Sequence, residues 1–362
     1  MDRALELAHE SLFITSPNPR VGCVLVGPDG RVIGTGRTQQ AGGAHAEVMA
    51  LRDAQAGGYV TQGATAYVTL EPCSHQGRTG PCCDALVAAG IARVVASIAD
   101  PNPLVGGRGF ERLRAAGISV EVGCGAEESR ELNIGFFSRM IRKKPWVRLK
   151  AAISLDGFTA MPSGESQWIT SQAARSDGHL WRARSCAVLT GVGTVLADNP
   201  KLNVRNIDTP RQPMAVVCDS QLRTPPEAAL FECDRRVLIY TASSDSRLAQ
   251  RLKSRGAEVR RVDSTMRGRM DLRVVLADLA QEGVNELHVE AGAILNGSLL
   301  ASGLVDELLM YVAPTLLGGG VGVARMPPLG RLSEAPRFDY VSALPVGGDV
   351  RLIARSHGAN DF

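Results

Sequence analysis

The chain has 362 residues, 44% of them hydrophobic and 21% charged, with a net charge of +3. That length exceeds the usual single domain, so two domains are expected. So small a positive charge, with only 4% aromatic residues to stack on bases, argues against a nucleic-acid binder. The N-terminal MDRALELAHESLF carries acidic residues and lacks the apolar core of a signal peptide, and no stretch reaches the length of a membrane span. Neither secretion nor a membrane is expected. Of eight cysteines, six (Cys23, Cys83, Cys124, Cys186, Cys218, Cys233) show no disulfide framework, which fits a reducing cytoplasm.

In chain order, Leu5, Ala8 and Leu12 share one helical face over residues 4–12. VGCVLV at 21–26 reads as a buried strand, and Pro28-Asp29-Gly30 turns it into a second strand at 31–36. A helix is expected from about 45 to 56, with His45 and Glu47 in its first turn. AYVTL at 66–70 is a strand that ends at Glu71-Pro72-Cys73. A helix from near Cys82 to Gly90 and a strand, RVVASI at 93–98, follow. Candidate metal ligands thus fall at helix N-termini, where free N–H groups favour thiolate over thiol.

His45, Cys73 and Cys82 supply one imidazole and two thiolates. Together they can hold zinc on three sides and leave the fourth for a water, whose pKa the metal lowers. Glu47 is then a carboxylate beside the metal, placed to carry a proton from that water to a departing amine. Histidine, glutamate and two cysteines in this order resemble the signature of zinc-dependent nucleobase deaminases. Those enzymes often carry Pro-Cys-x-x-Cys, whereas eight residues separate Cys73 from Cys82 here. A closed structural zinc site would need a fourth protein ligand, for which His75 and Cys83 are the nearby candidates.

Residues 127–145 read as a helix and a basic connector, Arg139 to Lys144, ending at Pro145. A second α/β set opens with WVRLKAAIS at 146–154. Strands recur near 186–190, 214–218, 236–240, 258–262, 286–290, 306–313 and 349–354, with helices at about 171–184, 271–282 and 292–302. The expected domains are therefore 1–143 and 144–362. Gly191-Val-Gly193-Thr194 follows one strand and Glu290-Ala-Gly292 precedes a helix. Each alone fits a tight turn, and neither is G-x-G-x-x-G, so a standard dinucleotide fold is not indicated. The Gly292 turn still leads a strand into a helix, whose N-terminus can hold a phosphate or pyrophosphate.

Longer motifs add a family. PNPRVGCVLV at 17–26, GGAHAEVMAL at 42–51, TLEPCSHQGRTGPCCDAL at 69–86 and DPNPLVGGRG at 100–109 cover the first half. RLKAAISLDG at 148–157, SGESQWIT at 163–170, GVGTVLADNPKLNVR at 191–205, VCDSQLRTP at 217–225, HVEAGAILNGSLL at 288–300 and LVDELLMYVAPTLLGG at 304–319 cover the second. With these the chain resembles the bifunctional riboflavin-biosynthesis enzymes, in which a pyrimidine deaminase is fused to a 5-amino-6-(5-phosphoribosylamino)uracil reductase. The long spacing from Cys73 to Cys82 is that family's own form of the deaminase motif.

The resemblance implies an α/β protein: a cytidine-deaminase-like α/β/α sandwich followed by a dihydrofolate-reductase-like domain. It implies zinc on His45, Cys73 and Cys82, with Glu47 as proton carrier. The first reaction would deaminate 2,5-diamino-6-(5-phosphoribosylamino)pyrimidin-4-one, with Asn18 on its ribose or base edge and His75 and Arg78 on its phosphate. The second would use NADPH to reduce the ribosyl group to a ribityl chain. NADPH contacts carry over to Ala152, Trp168, Thr194, Asp198, Ser220 and the run Gly292, Ala293, Ile294, Leu295, Asn296, Gly297 and Ser298. Substrate contacts carry over to Ser166, Arg182, Leu202, Arg205 and Glu290. Lys150 and Asp198 are suited to offset charge during hydride transfer, and Arg182 and Arg205 to hold phosphate. Ser220 and Arg223, after the strand at 214–218, could meet the 2′-phosphate of NADPH. The expected partner is a small phosphorylated pyrimidine, and the expected assembly a cytoplasmic homo-oligomer, dimer or tetramer. Two residues depart from the family pattern: Gly80, where proline is usual, and Asn199, where an acid commonly follows Asp198. A tRNA- or nucleoside-editing deaminase would show a basic face and the short cysteine spacing, and a non-catalytic relative would have lost Glu47 or a ligand. Neither pattern is present.

Overall fold

The computed structural model describes residues 1–74, 80–103, 105–263 and 270–362, and divides into two units, Met1–Lys143 and Lys144–Phe362. His75 and Arg78 lie outside the described residues. In the first unit the elements run α1 (Asp2–His9), β1 (Gly22–Val26), β2 (Val32–Arg37), α2 (Ala46–Ala56), β3 (Thr65–Val68), α3 (Cys82–Ala88), β4 (Arg93–Ala96), α4 (Arg108–Ala115), β5 (Ser119–Val122), α5 (Ala126–Leu132) and α6 (Ile134–Arg142). The sheet order is β2-β1-β3-β4-β5, antiparallel from β2 to β3 and parallel from β3 to β5.

Small residues on both sides let α2 lie directly on β2. A Cβ at Gly36 would stand 2.2 Å from the Ala46 carbonyl oxygen, and one at Gly34 2.3 Å from that of Ala50. Ala46, Ala50 and Ala54 are fully buried in return. A larger side chain at either glycine would lift the helix that carries Glu47, so this packing is already a matter of function. The single helix expected after residue 127 instead breaks at Asn133. Its side-chain amide accepts from the Arg20 N–H (2.8 Å) and donates to the Arg20 carbonyl (2.9 Å), pinning the junction of α5 and α6. The first helix stops at His9, short of the expected 12. Ser11, fully buried, donates to the Thr38 carbonyl at 3.0 Å.

The second unit runs β6 (Trp146–Ser154), β7 (Phe158–Ala160), α7 (Gln172–Arg184), β8 (Ala187–Gly191), α8 (Val192–Asp198), β9 (Met214–Cys218), β10 (Val237–Thr241), α9 (Ser246–Lys253), β11 (Ala257–Arg261), α10 (Leu272–Gln281), β12 (Glu286–Val289), α11 (Ala293–Ala301), β13 (Glu307–Ala313), β14 (Val321–Gly322), β15 (Phe338–Val346) and β16 (Asp349–Ser356). Nine strands form one sheet in the order β11-β10-β9-β8-β12-β6-β13-β16-β15. It is parallel from β11 to β13 and antiparallel at β16 and β15. MAVVC of β9 and VLIYT of β10 are buried at every position, as central parallel strands covered on both faces must be.

Under α7 the sheet buries charge. Arg148 of β6 bonds Glu286 of β12 at 3.0 Å and also meets Glu307 of β13. Arg184 reaches Glu286 at 2.7 Å and Arg355 reaches Glu307 at 2.9 Å. The Trp181 ring covers the Arg148 guanidinium at 4.4 Å. Arg148, Glu286 and Glu307 are fully buried, which is tolerable only because each is paired. No helix among the described residues is long and apolar enough to cross a membrane.

Candidate functional site

In the first unit, His45 is the N-cap of α2 and Cys82 the first residue of α3, while Cys73 lies in the turn after β3. His45 Nδ1 stands 3.6 Å from Cys73 Sγ and 3.3 Å from Cys82 Sγ, and the three ligand atoms lie within 4.8 Å of one another. Bonds of about 2.3 Å to sulfur and 2.0–2.1 Å to nitrogen around a tetrahedral zinc would put such atoms about 3.6 Å apart. The donor set therefore fits zinc. Cys83 does not join it, because its thiol turns to the carbonyls of Pro72 (3.1 Å) and Gly109 (3.5 Å).

The two ligand thiols shift in opposite directions. Cys73 is drawn down to about 4 by its hydrogen bond with Cys82, and further by His45 and the Cys82 N–H, which lies 3.3 Å from its sulfur. Cys82 is pushed up by the same contact and by burial. His45 is raised, first by its hydrogen bond with Cys73. Glu47, in the first turn of α2, is buried. Desolvation, then the Cys73 charge, pushes its carboxyl up to about 7. A cavity of ≈ 460 Å³ opens over these groups, lined by Asn18, His45, Glu47 and Cys73 among others. Asp100, Asn102, Phe136 and Met140 line it too. The first two fall in the DPNP motif, but residue type alone gives none of the four a role at the site.

The second unit holds a cavity of ≈ 950 Å³ at the carboxyl ends of its parallel strands. Lys150, Ala152, Ser166, Thr194, Asp198, Ser220, Glu290 and the whole run from Gly292 to Ser298 line it. The residues that read as a turn at 191–194 continue instead into α8, which begins at Val192. Asp219 is fully buried and accepts from the Thr224 N–H and hydroxyl, both at 2.7 Å. That closes the turn presenting Ser220 and Arg223 to the cavity. Arg273 and Arg325 add two cations that no sequence motif singles out. Asn296 also serves as a clamp, donating to the carbonyls of Ala291 (3.0 Å) and Val323 (2.9 Å).

Arg182 forks onto Glu290 and donates to the Asn203 carbonyl at 3.0 Å. Burial lowers the Lys150 ammonium, with Glu290 opposing. Burial also raises Asp198. His179 accepts from the Arg205 N–H at 3.2 Å and is pushed down to about 4 by burial and the cations Arg182 and Arg205. Leu202 is buried in a left-handed turn (φ 51°). Trp168 is not brought to the cavity: it is 68% exposed, with the Arg175 guanidinium 4.4 Å from its ring. Of the two family departures, Asn199 has φ 42° and accepts from the Ala229 N–H at 2.8 Å. A Cβ at Gly80 would meet nothing within 4 Å. Neither disturbs a ligand.

Residues 145–352 match the RibD C-terminal domain family, and residues 1–98 the cytidine and deoxycytidylate deaminase zinc-binding region. The riboflavin biosynthesis protein RibD of Escherichia coli (strain K12) is 48% identical over 370 residues, covering 97% of each chain. A solved structure of Acinetobacter baumannii RibD is 43% identical with TM-score 0.88, over 98% of this chain and 97% of that one. The diaminohydroxyphosphoribosylaminopyrimidine deaminase/5-amino-6-(5-phosphoribosylamino)uracil reductase of Thermotoga maritima is 34% identical with TM-score 0.87, again over 98% and 97%.

Proposed function

The chain belongs to the RibD family, and from that premise we propose how its own residues divide the two reactions of a bifunctional riboflavin-biosynthesis enzyme. The protein is a deaminase and reductase that uses zinc and NADPH. The first unit converts 2,5-diamino-6-(5-phosphoribosylamino)pyrimidin-4-one to 5-amino-6-(5-phosphoribosylamino)uracil, taking up water and releasing ammonia. The second adds hydride and a proton, opening the ribosyl group to a ribityl chain.

The chemistry that zinc supplies, when held by His45, Cys73 and Cys82, is Lewis acidity toward a water. Glu47 moves the protons. Buried beside the ligands, its carboxylate is placed to take one from the attacking water and give one to the departing amine. Asn18 offers an amide to the substrate's ribose or base edge, and His75 and Arg78 are assigned to its phosphate. In the second unit NADPH supplies hydride. Ala152, Thr194, Asp198, Ser220 and the start of α11, from Gly292 to Ser298, cradle it. Lys150 and Asp198 offset charge at the reacting carbon. Arg182, already clamped on Glu290, orients that carboxylate, while the more exposed Arg205 is assigned to the phosphate and Ser166 and Leu202 are assigned to the same substrate.

This reading is carried by the cluster of His45, Cys73 and Cys82 beside a cavity that His45, Cys73 and Glu47 line, on a chain whose other unit holds a second, larger cavity. Incubation with the phosphorylated diaminopyrimidinone, followed by mass spectrometry, tests it. Without NADPH the amino group should be exchanged for oxygen, and with NADPH the product should also gain two hydrogens. An unchanged substrate would refute the assignment.

We further propose a homo-oligomer working in the cytoplasm. The free cysteines, one of them the exposed Cys124, suit a reducing compartment, and the edge strand β15 exposes Tyr340, Val341 and Leu344. Sedimentation of the purified protein tests the assembly, a monomer being the contrary result.

A further inference from the structure

Four backbone N–H groups converge on one carboxylate two residues before a zinc ligand. Glu71 Oε2 accepts from Asp100 (3.0 Å) and Gly107 (2.9 Å), and Oε1 from Gly109 (2.8 Å) and Phe110 (3.4 Å). Gly107 is the N-cap of α4 and has no side chain to cap it. Gly109 and Phe110 are the second and third helical residues, whose N–H groups a capping side chain ordinarily takes. Glu71 performs that capping from another element, with negative charge at the positive end of the helix. Contact is close: a Cβ on Gly109 would stand 2.1 Å from the Pro72 carbonyl oxygen.

The segment held in this way lines the deaminase cavity through Asp100, Asn102 and Val105, together with His45, Glu47 and Cys73. One buried side chain thus ties the Glu71-Pro72-Cys73 turn to another wall of the same cavity. We propose that Glu71 is a positioning residue of the deaminase: it fixes Asp100 and the residues from Val105 to Gly109 against the substrate and so governs substrate affinity. This rests on the deaminase assignment above. Neither Glu71 oxygen belongs to the ligand set, so zinc content reads the metal site separately from substrate affinity.

Glu71→Gln tests the idea at constant size. An amide keeps one accepting oxygen and turns a donor toward the other pair of N–H groups, so about half of the clasp is lost. Charge-assisted bonds are stronger than neutral ones, so KM for the diaminopyrimidinone should rise about tenfold or more. Zinc content, kcat within about threefold, and NADPH oxidation with the deaminated intermediate should all stay near wild type. Amide exchange over 105–110 should quicken while that of α3 does not. Gly109→Ala, which leaves Glu71 intact but wedges the same contact, should also raise KM. Wild-type KM and exchange in Glu71→Gln would overturn the proposal, and so would parallel loss of zinc and kcat. If the wild-type protein releases no ammonia, the deaminase assignment itself fails, and amide exchange still reports whether Glu71 holds the segment.

Discussion

Arg182 and Glu290 meet through two parallel bonds, Nε to Oε1 and Nη2 to Oε2, the second 2.7 Å long, with side chains only 15% and 16% exposed. A planar guanidinium matches a carboxylate in this fork as an ammonium cannot. His288 stands behind, 3.4 Å from Glu290 Oε1.

Truncating this pair should cost both stability and reduction. Arg182→Ala removes the main partner of a largely buried carboxylate and leaves only His288 and Lys150 near it, a loss approaching about 3–5 kcal/mol for a buried pair. Thermal melts should show it, and NADPH oxidation should fall at least about tenfold. Arg182→Lys should recover part of the stability and little of the rate. An unchanged melt in Arg182→Ala would show that the pair holds nothing.

The same pair predicts a pH dependence. Burial alone would raise Glu290, but the Arg182 charge and hydrogen bonds, with His288 and Lys150, hold it well below the ordinary 4.5. A depressed folded pKa adds stability that is present above the unfolded value and is lost as pH falls through the folded one. Denaturant titrations should therefore show stability falling on acidification below about 4.5. Glu290→Gln should flatten that part of the slope. A slope equal in both proteins would contradict the assignment.

Metal removal should separate the activities. Cys82→Ser, or a chelator, should lower zinc from about one per chain and abolish deamination. Reduction of the deaminated intermediate should persist. Zinc at the wild-type level in Cys82→Ser would exclude Cys82 as a ligand.

Cofactor choice should depend on the turn closed by Asp219. Ser220 and Arg223 face the cavity from it. NADPH should be preferred to NADH, and Arg223→Ala should erode the preference by about tenfold, the value of one charge-assisted bond. Full preference in that variant would move the 2′-phosphate elsewhere, toward Arg273 or Arg325.

How much of this is legible in the sequence differs between the units for physical reasons. The zinc site is readable because imidazole, thiol and carboxyl side chains announce metal chemistry by residue type, and the order His45, Glu47, Cys73, Cys82 resembles a deaminase signature. Glu71 is not readable: its partners are backbone N–H groups about thirty residues or more away, and such groups leave no residue-type signature. WVRLKAAIS reads correctly as the opening of the second unit, but nothing in the sequence marks Arg148 in it as buried. Its burial depends on Glu286, Glu307 and the Trp181 ring, which only tertiary folding brings together. Short α8 reads as a turn because seven residues give little periodicity, and α4, β5, α9 and β15 are not among the elements read from the sequence.

One chain carries two chemically separate sites, and Glu47→Gln should silence one while sparing the other. The substitution keeps the shape of the side chain but removes its ability to take up a proton. Deamination of the diaminopyrimidinone should fall by about two orders of magnitude or more. With the deaminated intermediate supplied, NADPH oxidation by the same protein should match wild type. Loss of NADPH oxidation in a correctly folded Glu47→Gln protein would contradict the account.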